Sequence, residues 1–155
     1  MARLFTEGFE FGDALAFTNY SPQTSGGLNT TYKRTGAYSY CTGHPNGYLS
    51  KNITGVSELY LRTGVRVESS AYQGIPQIYF RNGTTELVSV EGISLEGYVG
   101  GASVAASSFN LNYNQWYLVE VYVKIHDTEG QITVKVAGAE ILSYSGDTKP
   151  GSDTT

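Results

Sequence analysis

One cysteine, one methionine, one tryptophan and two histidines are all that this chain of 155 residues holds of those types. A lone Cys41 makes no internal disulfide, which excludes a disulfide framework and a cysteine-built zinc or redox centre. The histidines, His44 before Pro45 and His126 before Asp127, both fall at turns, so a Ser-His-Asp site has little to recruit. Only 15% of residues are charged, the net charge is −4, and no lysine/arginine cluster occurs; that argues against a nucleic-acid footprint. No apolar run approaches membrane-spanning length. The opening MARLFTEGFEFGD lacks the apolar core and small-residue cleavage site of a secretory signal, so synthesis and retention in a cytoplasm are expected. Without a signal, the Asn-x-Ser/Thr triplets at Asn29, Asn52 and Asn82 read as coincidental.

Glycine and tyrosine are abundant, at 19 and 13 residues, and suit many short strands joined by tight turns. No window of ten residues carries a helical stripe. The clearest stretch is Trp116 to Ser145. Tyr117, Val119, Val121, Val123 and Ile125 alternate with Leu118, Glu120, Tyr122, Lys124 and His126, a period of two. Turn residues Asp127 to Gly130 follow, then Ile132, Val134 and Val136 on one face, a turn at Gly138, and a strand over Ile141–Tyr144. Trp116 and the six β-branched residues from Val119 to Val136 on the inward face are expected in one inter-sheet core.

The rest reads in the same way. Leu4–Phe11 predicts a first strand with Phe5, Phe9 and Phe11 turned to a core. Asn19–Asn29 reads as an exposed loop. Thr35–Tyr40 predicts a strand, and Pro45-Asn46-Gly47 a turn before Tyr48 and Leu49. Glu58–Glu68 alternates cleanly, with Leu59, Leu61, Val65 and Val67 inward and Tyr60, Arg62, Arg66 and Glu68 outward. Ile75–Arg81, Asn82-Gly83 and Glu86–Val90 predict a hairpin, Ile93–Val99 a further strand, and Gly100-Gly101 a loosening of the chain. Strands recurring every eight to twelve residues predict one all-β domain over 1–155, a two-sheet antiparallel sandwich.

Three segments carry a family resemblance. F-x-x-G-F-E-x-G-D at Phe5–Asp13, R-T-G-x-Y-S at Arg34–Ser39, and the hairpins of Trp116–Gly146 resemble laminin-G/concanavalin A-like jelly rolls found as virion proteins of tailed bacteriophages. The resemblance covers most of the chain and rests on core and turn residues. It implies a jelly-roll sandwich made in the host cytoplasm and located in the virion. Such folds usually return a final strand beside the first. Here Ser145–Pro150 is followed only by polar Gly151–Thr155. Either the sequence stops before a final strand after 146, or the first strand's neighbour comes from elsewhere, and an unpaired edge invites another chain.

Candidate chemistry is sparse. A glucanase of this fold needs carboxylates spaced by two on one strand, and neither Glu58–Glu68 nor Glu86–Glu96 supplies such a cluster; an enzyme is not expected. Glu7, Glu10 and Asp13 offer hard oxygens for a calcium ion, as the resemblance implies for similar openings, or they simply solvate the first strand. No other cofactor is expected. Tyr60, Tyr98, Tyr113 and Tyr122 are expected to face outward. Tyr98, and Tyr113 flanked by Asn112 and Asn114, offer stacking and amide groups to a saccharide, or else serve packing and interfaces. The expected function is a non-enzymatic virion structural protein, a capsid decoration or tail-associated module. It contacts other virion proteins and sibling subunits as a homo-oligomer, without nucleic acid or membrane. The alternative is a carbohydrate-binding adhesion module for host-surface glycans.

Overall fold

The computed structural model describes residues 17, 19–20, 27–41, 48–53, 56–68 and 76–151. The chain divides into two compact units, Met1–Gly55 with Ser70–Gly74, and Val56–Ser69 with Ile75–Thr155. The expected first strand Leu4–Phe11 lies outside the described residues.

In the first unit, β1 (Asn19–Tyr20) pairs antiparallel with β4 (Leu49–Ser50), and β2 (Gly27–Asn29) with β3 (Ser39–Cys41). Asn19–Asn29, read as loop, thus holds two short strands, and the strand expected over Thr35–Tyr40 begins only at Ser39. Local hydrogen bonds decide this: the Asn29 side chain accepts from the amides of Thr31 and Tyr32, both at 2.8 Å, and folds the intervening segment into bends.

The second unit is an antiparallel β-sandwich. One sheet has the order β12-β11-β10-β5, from β12 (Ala139–Gly146), β11 (Gly130–Val136), β10 (Trp116–Lys124) and β5 (Glu58–Arg66). The other runs β6-β7-β8-β9, from β6 (Gln77–Asn82), β7 (Thr85–Glu91), β8 (Glu96–Val99) and β9 (Ala102–Ala105). The described residues form no helix. Alternation puts one face of each strand inward, and these faces share a core of Val88, Val90, Val119, Val121, Val123, Ile132, Val134, Leu142, Leu95 and Leu111. The sheets approach closely at Gly97, where an added Cβ would lie 3.4 Å from a Leu142 methyl.

Several sequence expectations need correcting. Trp116 is half-buried and outside the core. It pairs with Arg66 and shares a parity with Leu118, Glu120 and Tyr122, so the period of two that buries Val119 turns Trp116 to the opposite face. Tyr117 packs against the core instead, its ring edge-on to Phe109 at 5.7 Å and 88°. The Asn82-Gly83 hairpin forms, with Gly83 and Thr84 at its tip. The strand expected from Ile93 starts at Glu96, because Gly92 to Leu95 make a turn closed by the Leu95 amide donating to the Gly92 carbonyl at 3.3 Å. Gly100 and Gly101 do not loosen the chain. Both have positive φ, 55° and 82°, and close a tight hairpin into β9, a strand the Ala/Ser-rich sequence concealed.

Candidate functional site

Surface chemistry concentrates on the outward faces of the two sheets. On the first sheet, strand register aligns side chains in rows across four strands. One row is Tyr60, Tyr122, Thr133 and Ser143; the next is Arg62, Glu120, Lys135 and Glu140. Glu120 is nearly enclosed, at 14% exposure, and accepts an ion pair from Arg62 Nε at 3.3 Å. A hydrogen bond to Glu120 holds the Tyr60 phenol above its ordinary 10.0; burial and the Glu120 charge act in the same direction, and Arg62 opposes them. Burial raises Tyr122 likewise, helped by the charge of Glu58 and a hydrogen bond to it. Tyr60, Glu120, Tyr122, Thr133, Lys135 and Glu140 line a shallow dish of about 340 Å³.

On the second sheet the outward row Tyr79, Ser89, Tyr98 crosses β6, β7 and β8. Fully buried Ser89 has its hydroxyl 2.8 Å from Glu86 Oε1 and 2.7 Å from Glu91 Oε1. Glu91 stands directly across from Glu96 and accepts from Gln77 Nε2 at 3.1 Å. The Arg81 guanidinium lies 4.5 Å from the centre of the Tyr79 ring. Glu86 reaches this face only because the register shifts between Phe80 and Arg81, a bulge that reverses its parity. A glycosidase needs open space between its two carboxylates for the sugar to enter. Here the buried serine hydroxyl occupies the space between their oxygens, where a scissile bond would need to enter.

The structure divides the sugar-site residues named from sequence. Tyr98 lies on β8 and donates its hydroxyl to Glu96 Oε2 at 3.1 Å; that bond, then burial and the nearby glutamate charges, raises its pKa. Asn112, Tyr113 and Asn114 lie together in the loop before β10. Tyr113 is exposed, at 43%. Asn114 is committed to the fold: its amide donates to the Val67 carbonyl at 2.7 Å, and its own carbonyl and side-chain oxygen accept from Arg66 at 3.1 and 3.3 Å. The Asn112 amide donates to the Tyr117 hydroxyl at 3.1 Å. Glu7, Glu10 and Asp13 lie outside the described residues. Among the described residues no group of three His, Cys, Asp or Glu side chains is arranged to hold a metal ion.

His126 stands at its expected turn, where Nδ1 accepts from the Thr128 and Glu129 amides at 3.2 and 2.9 Å. Compared with protein-family models, curated proteins and solved structures, the chain matches none. The resemblance to phage jelly rolls therefore rests on the sequence motifs alone.

Proposed function

We infer that this chain is a non-enzymatic structural module of a tailed-phage virion. In this reading it is a jelly-roll sandwich that docks through its sheet faces to virion proteins and sibling subunits. The observation that carries the surface role is the way outward tyrosines stand against carboxylates: Tyr98 donates to Glu96 at 3.1 Å, and Tyr60 and Tyr122 have Glu120 and Glu58 in the adjacent rows of the sheet. Ordering a tyrosine beforehand lowers the entropy lost when a partner covers it. The Ser89-filled gap between Glu86 and Glu91 supports the non-enzymatic part. Peptide mass spectrometry of gradient-purified particles from a phage encoding the chain tests the placement. The expected result is the chain at fixed stoichiometry; its absence from particles but presence in the lysate would reject the reading.

A second reading, recognition of host-surface glycans, is favoured by the dish at Tyr60 and Tyr122.

A further inference from the structure

Tyr60 and Tyr122 are directly opposed on β5 and β10 and line the dish together. Glu120 stands one row from Tyr60 on one side, and Glu58 one row from Tyr122 on the other, so each phenol has a carboxylate in the neighbouring row. Neighbouring strands are about 4.8 Å apart, so the two side chains stand side by side on the outward face. Tyr60 is 49% exposed, so the pair is open to solvent.

The flanking charges alternate in sign across the row from Arg62 through Glu120 and Lys135 to Glu140. With Glu58 and Lys124, paired in the row on the other side, three acids face three bases. A face balanced in this way has no net pull on a phosphate or sulfate, and Glu120 and Glu140 would repel one. It offers guanidinium and ammonium donors beside carboxylate acceptors, the groups that bond to hydroxyls held on a ring.

We propose that the dish on the outward face of the β5–β10–β11–β12 sheet binds a neutral oligosaccharide of gluco- or galacto-configured pyranoses, laid across the strands over Tyr60 and Tyr122. Such sugars present a flat C–H face that packs on an aromatic ring, while their edge hydroxyls reach Arg62, Glu120, Lys135 and Glu140. The dish volume of about 340 Å³ suits one or two rings. The inference rests on the glycan reading above and moves its site away from Tyr98 and the Asn112–Asn114 loop.

The test is amide NMR titration of the full chain with cellohexaose, a β-1,4-galactohexaose and, as the anionic comparison, a heparin hexasaccharide. Shifts are expected in β5, β10 and β11 with a neutral hexaose and not with heparin. Tyr60→Ala and Tyr122→Ala should each weaken binding about tenfold, the loss that about 1.4 kcal/mol of ring contact represents. Tyr98→Ala and Tyr113→Ala should leave affinity unchanged, and thermal melts establish that each variant is folded. Binding that survives the Tyr60 and Tyr122 changes but vanishes with Tyr113→Ala would overturn this site and leave the glycan reading standing. Silence toward both neutral hexaoses at about 10 mM would also overturn it. A glycan array then separates the two failures: a signal for another sugar class preserves the glycan reading, and a blank array removes it as well.

Discussion

Ala137 and Leu95 both hold left-handed backbone, at φ 51° and 57°, a conformation that costs a residue with a Cβ about 1–2 kcal/mol. Their compensations differ. Leu95 is fully buried, and enclosing a leucine contributes about 1.5–3 kcal/mol, enough to offset its strain. Ala137 is exposed and precedes Gly138, φ 85°, in the turn between β11 and β12. Ala137→Asn should therefore raise stability by about 0.5–1 kcal/mol, since Asn-Gly suits a turn with two positive φ values. Urea melts check it, and a lowered midpoint would contradict the strain argument. Trp116 shows what sequence reading got wrong at this scale. Its size suggested core, but its even place in the alternation put it outside, and the alternation prevailed. Val121→Ala, in the sealed core, should cost about 2–3 kcal/mol, and Trp116→Ala less than that. Equal or reversed losses would return Trp116 to the core.

Hairpins were legible as elements because alternation and turn residues coincided there. Two features were not. The bulge in β7 brings Glu86 onto the face of Glu91 although five residues separate them, an odd spacing that in a regular strand means opposite faces. The other is the segment after β12. Its composition is polar, yet Thr148 is fully buried. Its hydroxyl donates to the Lys124 carbonyl at 2.7 Å and accepts from the His126 amide at 3.0 Å, while its own amide donates to the His126 carbonyl at 3.0 Å. These bonds fasten the segment to the end of β10. The fit depends on Gly130 lacking a side chain, because a Cβ there would fall 2.0 Å from Thr148 Oγ1 and 2.7 Å from the Gly146 carbonyl oxygen. Gly130→Ala should destabilise by about 1–3 kcal/mol through overpacking. Thr148→Val, which keeps the shape, should cost about 1–3 kcal/mol by leaving the His126 amide and Lys124 carbonyl without that hydroxyl. Hydrogen exchange at the His126 amide should accelerate in Thr148→Val. Unchanged exchange there would show that the hydroxyl does not hold this joint.

At the largest scale, the β-sandwich of the second unit was readable because its β-branched residues recur at a period of two. The tyrosine networks were not, since they depend on which strands become neighbours. Tyr60, Tyr79, Tyr98 and Tyr122 all have pKa values above the ordinary 10.0, through hydrogen bonds to glutamates for Tyr60 and Tyr98 and through burial for Tyr79 and Tyr122. Each therefore holds its proton more tightly in the folded chain than in the unfolded one. Below the unfolded value both states are protonated and the full stabilisation is present. As pH rises past it, the unfolded chain loses protons first, and the stabilisation falls until the folded phenols ionise as well. The urea midpoint should accordingly hold steady between about pH 7 and 9 and decline above about pH 10. Replacing all four tyrosines with Phe should flatten that decline. Glu120→Gln should bring forward the appearance of Tyr60 phenolate absorbance by removing both its strongest hydrogen bond and the nearest negative charge. A quadruple variant that declines as steeply as the parent would assign the alkaline loss to other groups and remove these networks from the account of stability.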